Sequence, residues 1–486
     1  MGIALPIHCA NLGIASRGNM KPESSTDGIV ADATPPLAPS VIDGGRFTSN
    51  ATTLEASWSA TDPESGVVGY QYSIGTTAGS SNVVPWTDVG AATSIVKSGL
   101  SLQGGVTYYI NVKALNSGGA WGPLGSSDGI TVDVTAPSVP LVTDAGQFTS
   151  NPSSIWASWS TADNESGIST FEYSVGTTAG ETQVLGWTDA GTLPQVTITG
   201  LTLTNGGTYF VNVRATNGAL LVSPVGSSDG ITLDTTAPTT PVVTDDGNFT
   251  ASTAQIHATW TASDPESGIQ LYKYAIGTSP GATNIVPWTD NGTATSVTRT
   301  GLSLVDKQTY YLSVIATNGA QAESAVGTSN GITVDATPPT RPTVVDDGEY
   351  TASATELHAV WSASDPQSGI VLYEYSIGTS AGAADTLGWT PAGTSTEATI
   401  TGLSLQGGVR YYINVRATNG AGTRSEVGST DGIYVESTPP TTPVVTDDGQ
   451  FTQSTTTIGA TWTSEDPETG IGGFEYSIGT SPGATD

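Results

Sequence analysis

Sulfur chemistry is almost absent from this chain: 486 residues carry one cysteine, Cys9. The repeated part of the sequence has none, which excludes disulfides and thiolate metal centres there. Imidazole is nearly as scarce. The three histidines are His8, His257 and His358, and the last two fall at equivalent positions of a repeated strand. Glu55, Trp156 and Gly459 fill that position elsewhere, so Ser–His–Asp and Cys–His constellations cannot be built. Positive charge is also lacking, with 13 Lys and Arg against 44 Asp and Glu, a net charge of −31. Such a surface disfavours a phosphate backbone as partner, so no nucleic-acid role is expected. No apolar run approaches the ~18 residues of a membrane span. The first eighteen residues, MGIALPIHCANLGIASRG, lack the basic start of a signal peptide. Charged residues are 12 % of the chain, below the ~25 % usual for globular domains.

What fills the space is Gly, Ser and Thr, 60 residues being glycine, beside an ordinary 36 % of hydrophobic residues. The order within that composition is periodic. Trp58, Trp159, Trp260, Trp361 and Trp462 lie 101 residues apart, as do Pro36, Pro137, Pro238, Pro339 and Pro440. Internal repetition at a fixed period means tandem duplication, and this period exceeds the ~20–50 residues of a solenoid repeat. It matches one small domain. Four whole repeats are expected at 34–134, 135–235, 236–336 and 337–437, with a partial fifth at 438–486. Residues 24–36 match the tail of a repeat, so 1–33 reads as the end of a preceding copy, with 1–17 unmatched. Both ends are therefore expected to be cuts through a longer array, and 438–486 to be poorly ordered or aggregation-prone alone.

Within a repeat the apolar period is two. Leu54, Ala56 and Trp58 alternate with Glu55, Ser57 and Ser59; Tyr108, Ile110, Val112 and Ala114 alternate with Tyr109, Asn111 and Lys113. That is the pattern of half-buried strands. Turn-forming stretches such as TDPESG, SLQGG and ALNSGG separate the runs, and no amphipathic helix is evident. The expected fold is all-β, an antiparallel sandwich per repeat. The strand pattern LEASW (Leu54 to Trp58) and the spacing Leu102, Tyr108, Val112, Ala114, Asn116 resemble the fibronectin type III family and similar bacterial Ig-like modules. The second pattern recurs at Leu203, Leu304 and Leu405. The resemblance implies tandem β-sandwiches and is nearly silent on function. One departure is the extra VVPWTD-type segment around Trp86. The Leu-to-Tyr spacing also suits a tyrosine corner.

The most repeated loop is Asp-Pro-Glu-Ser-Gly (Asp264 to Gly268), between the Trp strand and the next. Pro presets φ, Asp and Ser bond local backbone, and Gly accepts positive φ, so a turn is the plain reading. Calcium is the sharper one, since it favours carboxylates on loops but needs six to eight oxygens. The fold brings this loop toward the end of the preceding repeat. Asp133 is thus a candidate to approach Asp163 and Glu165, and Asp234 to approach Asp264 and Glu266, similar in logic to cadherin junctions. In the fourth repeat Gln367 replaces the Glu.

Trp86, Trp187, Trp288 and Trp389 either stack on a sugar or, the favoured reading, cover an edge or cap the core. Tyr109, Phe210, Tyr311 and Tyr412 are the better candidates for exposed ligand-binding aromatics, because alternation points them away from the core. Trp121 and the Leu220-Leu221-Val222 run stand in the most variable loop. Arg17 to Asn19, RGN, is discarded as an adhesion motif. No catalytic site is expected. Two non-enzymatic readings remain: a monomeric stalk of a secreted or surface protein, roughly 150 Å long at ~3.3 Å per strand residue, or an adhesive array for glycans or surface proteins, gaining avidity by repetition.

Overall fold

A computed structural model describes residues 31–486. Cys9, His8, Arg17 to Asn19 and most of the stretch 1–33 lie outside the described residues. Among the described residues every regular element is a strand, and no helix is long and apolar enough to cross a membrane.

The first repeat shows why. Its strands are β1 (Ser40–Asp43), β2 (Phe47–Thr48), β3 (Leu54–Ser59), β4 (Val67–Gly75), β5 (Val84–Gly90), β6 (Ser94–Lys97), β7 (Thr107–Asn116), β8 (Gly125–Ser126) and β9 (Ile130–Val132). One sheet has the order β1-β3-β6. The other runs β2-β9-β7-β4-β5, with β8 also on β7. All pairs are antiparallel except β2 with β9, where Phe47 pairs with Thr131 and Thr48 with Val132. The register places Val41 opposite Trp58 and Ile74 opposite Ile110. The segment around Trp86 that departs from the family pattern is β5, the edge strand beside β4.

Alternation sorts the side chains as the pattern demands. Leu54, Ala56, Trp58, Tyr70, Tyr72, Ile74, Tyr108, Ile110, Val112 and Ala114 are all buried in one core. The Trp58 ring lies 6.1 Å from that of Tyr70, tilted by 59°, an edge-biased geometry suited to ring quadrupoles. Each large core side chain contributes roughly 1.5–3 kcal/mol by leaving water. The tyrosine corner is present: the Gln103 amide donates to Tyr108 Oη at 2.9 Å, and Thr204, Val305 and Gln406 do the same to Tyr209, Tyr310 and Tyr411. Gly125 is required by proximity, since a Cβ there would sit 1.9 Å from the Pro39 carbonyl oxygen.

The same two sheets recur in each later whole repeat, with equivalents of β7 at Thr208–Asn217, Thr309–Asn318 and Arg410–Asn419. Two compact units result. One comprises the chain up to Thr236 with Pro265–Gly268 and Gly319–Ala322; the other comprises Ala237–Asp264, Ile269–Asn318 and Glu323–Asp486. Beyond residue 437 the second unit has one strand pair, Val444–Asp447 with Ala460–Thr463. Phe451 is 89 % exposed there, and Tyr476 and Ile478 are exposed as well.

Candidate functional site

The Asp-Pro-Glu-Ser-Gly loops and their variants meet the ends of the preceding strands, and the first unit shows one such meeting in full at Asp163 to Gly167, where Asn164 replaces the proline. Strand β9 is extended by one bond, Asp133 N to Thr48 O at 2.8 Å, which fixes Asp133 at the end of the first repeat. Its side chain is fully buried. Asp133 Oδ1 accepts from Thr135 N (3.0 Å), and Oδ2 accepts from Ser166 Oγ (2.5 Å) and Asn217 Nδ2 (2.7 Å). Asp163 Oδ1 accepts the backbone amides of Glu165, Ser166 and Gly167 at 3.3, 2.9 and 3.0 Å, so the loop is a carboxylate-capped turn. Its Oδ2 accepts from the same Asn217 Nδ2 at 3.1 Å. Thr135 Oγ1 donates to Glu165 Oε2.

Asn217 is thus the hub. Nδ2 also donates to Thr135 O (2.9 Å), while Oδ1 accepts from Ala219 and Leu221 amides (3.1 and 2.8 Å). One fully buried amide ties the linker, the turn and the following loop together. Asn116 does this for Asp32 (2.6 Å) and Asp62 (3.1 Å). In the second unit Asn419 does it for Asp335 (2.9 Å) and Asp365 (3.0 Å). In the sequence these asparagines stand only as the last residue of a strand pattern. The signal that could have singled them out is their 101-residue recurrence at a position buried by alternation, where an amide demands partners.

The carboxylates respond to these donors. Burial pushes Asp163 up, but the Asn217 amide and the three turn amides outweigh it and hold the carboxyl below 3.8. Asp365 is lowered by the same balance. Glu468, in the partial repeat, is drawn down to about 2, first by the Ser437 amide and then by Glu436.

Of the calcium candidates, Asp133, Asp163 and Glu165 are brought together, each offering an oxygen within 4.8 Å of the others. They fit a calcium ion poorly. Asn217 Nδ2 occupies the bridging place between the two aspartates, and their other oxygens face N–H and O–H donors. Three carboxylates also fall short of the six to eight oxygens calcium takes. Asp234 and Glu266 belong to the first unit, where Ser267 Oγ donates to Asp234 (2.5 Å) and Asn205 Nδ2 to Glu266 (2.8 Å). Asp264 belongs to the second and accepts from Asn318 Nδ2 at 3.0 Å.

The aromatic candidates need correction. Tyr109, Phe210, Tyr311 and Tyr412 point outward from the core but are half-buried. Each ring lies over a glycine in the left-handed region; a Cβ on Gly129 would stand 2.8 Å from Tyr109 Cε1, and Gly230, Gly331 and Gly432 match it. The rings roof the turn that leads into the last strand of each sandwich, so alternation alone overstates their exposure. Trp121 is exposed, as are Leu220 and Val222. The second tryptophan set lies on the outer face of the edge strand and is mostly roofed by cations. Lys113, Arg214 and Arg416 stand 4.4, 4.5 and 4.2 Å from the ring centres of Trp86, Trp187 and Trp389. Trp288 faces a repeat with Ile315 at the cation's position and is 36 % exposed.

Strand order, the single parallel β2–β9 pair and the tyrosine corner define the class: the chain is a tandem array of fibronectin type III-like β-sandwiches. No family model matches it. It is similar to Exoglucanase B of Cellulomonas fimi, 28 % identical over 316 residues, covering 62 % of this chain and 26 % of that protein. The chain therefore spans about a quarter of that relative's length. Among solved structures it is similar to a tetra-tandem repeat in the extending region of a large adhesion protein (TM-score 0.28, 19 % identity, 81 % of this chain and 99 % of that one). Two others are the chicken CNTN1 FN1-FN3 domains (0.26, 18 %, 62 % and 99 %) and the fibronectin(III)-like modules of Clostridium thermocellum CbhA (0.25, 18 %, 40 % and 94 %).

Proposed function

We propose that this chain is a non-enzymatic structural spacer within a larger secreted or cell-surface protein, holding other domains of that protein apart. The observation that supports this best is the buried Asp133–Asn217–Asp163 network, which ties a linker to the body of the next sandwich. What recurs every 101 residues is core, turn and this network, whereas exposed loop positions such as Trp121, Leu220 and Gln321 change from copy to copy. A binding array would be expected to repeat its exposed residues. The likeness to a part of Exoglucanase B fits a spacer segment in a larger secreted protein. Small-angle scattering of the chain with and without residues 135–235 tests the reading. A spacer loses about one sandwich length, ~35–40 Å by strand rise, from its maximum dimension. An unchanged dimension would end the proposal.

A second reading, adhesion to glycans, draws on Trp288, whose ring alone among the four equivalents has no cation over it among the described contacts. A glycan array on the chain and on Trp288→Ala distinguishes them: signal lost in the variant supports binding, and no signal from either leaves the spacer.

A further inference from the structure

The hub asparagines of the second and fourth repeats are each followed by glycine, Asn217-Gly218 and Asn419-Gly420, whereas that of the first is followed by serine, Asn116-Ser117. Asn-Gly is the pair most open to intramolecular attack, because glycine leaves its amide nitrogen unhindered and its backbone free to fold back. We infer that Asn217 and Asn419 are deamidation sites gated by closure of the linker network. The Gly218 nitrogen, having given its proton to solvent base, forms a bond to Asn217 Cγ. The Cγ–Nδ2 bond breaks, and Nδ2 takes a proton from the protonated solvent base and leaves as ammonia. Water then opens the succinimide at either carbonyl, leaving aspartate or isoaspartate.

Closed, the network blocks each step. Gly218 N is committed to Gly167 O at 3.1 Å, and Gly420 N to Gly369 O at 3.1 Å. Both asparagines are fully buried. The amide that would leave holds Asp133 (2.7 Å), Asp163 (3.1 Å) and Thr135 O (2.9 Å). Phe47 closes over Gly218, its Cδ2 lying 2.7 Å from where a Cβ would stand. Opening frees nucleophile and electrophile together. The product cannot reclose the network: a donor becomes a third carboxylate facing Asp133 and Asp163, with no hydrogen to offer and like charge on both sides. Each opening that lasts long enough is thereby recorded in one direction.

Peptide mass mapping of the whole chain held at mildly alkaline pH tests this, with Asn291-Gly292 as internal reference because Gly292 is exposed. In buffer, Asn217 and Asn419 are expected to deamidate at least roughly tenfold more slowly than Asn291, since local opening limits them. In urea sufficient to unfold the sandwiches all three should converge, with Asn116 lagging. Equal rates at Asn217 and Asn291 in the folded chain would overturn the gating. Failure of Asn217 to react when unfolded would overturn the site. Asn217→Asp, the product mimic, should speed hydrogen exchange at Gly218 while leaving that at Gly420 unchanged. Unchanged exchange at Gly218 would overturn the one-way consequence.

Discussion

The linker networks headed by Asp133 and by Asp335 differ at the glutamate of the loop and in Asp306, which stands where the other has Gly104, and the difference shows what the repeated loop is for. In the second repeat Glu165 accepts from Thr135 Oγ1. In the fourth, Gln367 stands in its place; with its amide assigned so that the oxygen accepts from Thr337 Oγ1 (2.6 Å), its nitrogen reaches Asp335 Oδ1 (3.1 Å) and Asp306 Oδ1 (3.2 Å). One copy has the carboxylates Asp133, Asp163 and Glu165; in the other an amide replaces the glutamate, and Asp306 joins Asp335 and Asp365. The core of the network, Asp–Asn–Asp with a serine hydroxyl, is the same in both, at 2.7 and 3.1 Å against 2.9 and 3.0 Å. The loop glutamate is therefore dispensable to the geometry. A turn and its hydrogen-bonded asparagine suffice.

The largest effect should come from removing the hub. Asn217→Ala and Asn419→Ala each leave two aspartates short of a donor, one of them fully buried, at a cost of about 3 kcal/mol in urea unfolding of the affected sandwich. Equal losses would support a shared network; a negligible loss in either would break the parallel. Acid acts next. Asp163 and Asp365 have folded values below 3.8, so their contribution is complete above that range and fades as pH falls through the lowered values. Melting temperature should hold from neutral pH to about pH 5 and then drop for both copies; a drop beginning near neutrality would implicate other groups.

Charge swaps come third. Gln367→Glu removes a donor to Asp335 and adds like charge, and should cost about 1 kcal/mol, whereas Glu165→Gln should be neutral or mildly stabilising. Both variants and the parent are expected to give superimposable melts with millimolar calcium and with EDTA. A calcium-dependent rise restricted to copies with the loop glutamate would reinstate the metal reading, since a ligand of the native state raises the midpoint. The smallest effect concerns the next loop. Leu220 adopts φ +66° where the fourth repeat has Gly422 at φ +83°. Leu220→Gly should stabilise by ~1 kcal/mol, and Gly422→Leu should cost a similar amount, both read by chemical denaturation.

The fold was legible because its signals are local and repeated. Leu54, Ala56 and Trp58 alternate, the Leu102–Tyr108 spacing sets a tyrosine corner, and glycines mark the turns. The candidate site was only half legible. Asp133, Asp163 and Glu165 were marked by residue type, but their hydrogen-bonding partner Asn217 lies 54 residues beyond Asp163, and nothing local to the loop names it. Tyr109 was misplaced for a related reason: alternation gives a side chain's direction, not what stands beside it, and here that is Gly129.

Sequence by itself determined the period, the all-β class, the buried faces and the absence of imidazole and thiol chemistry, because these follow from composition and from a two-residue alternation that each strand carries within itself. Tertiary structure alone decided that the acidic loop is a turn clasped by an asparagine, that three outer tryptophans lie under cations while Trp288 does not, and that the outward tyrosines are roofs. Those outcomes depend on which donors and rings the sheets bring within a few ångströms from distant parts of the chain, and hydrogen bonds and ring contacts are decided at that range.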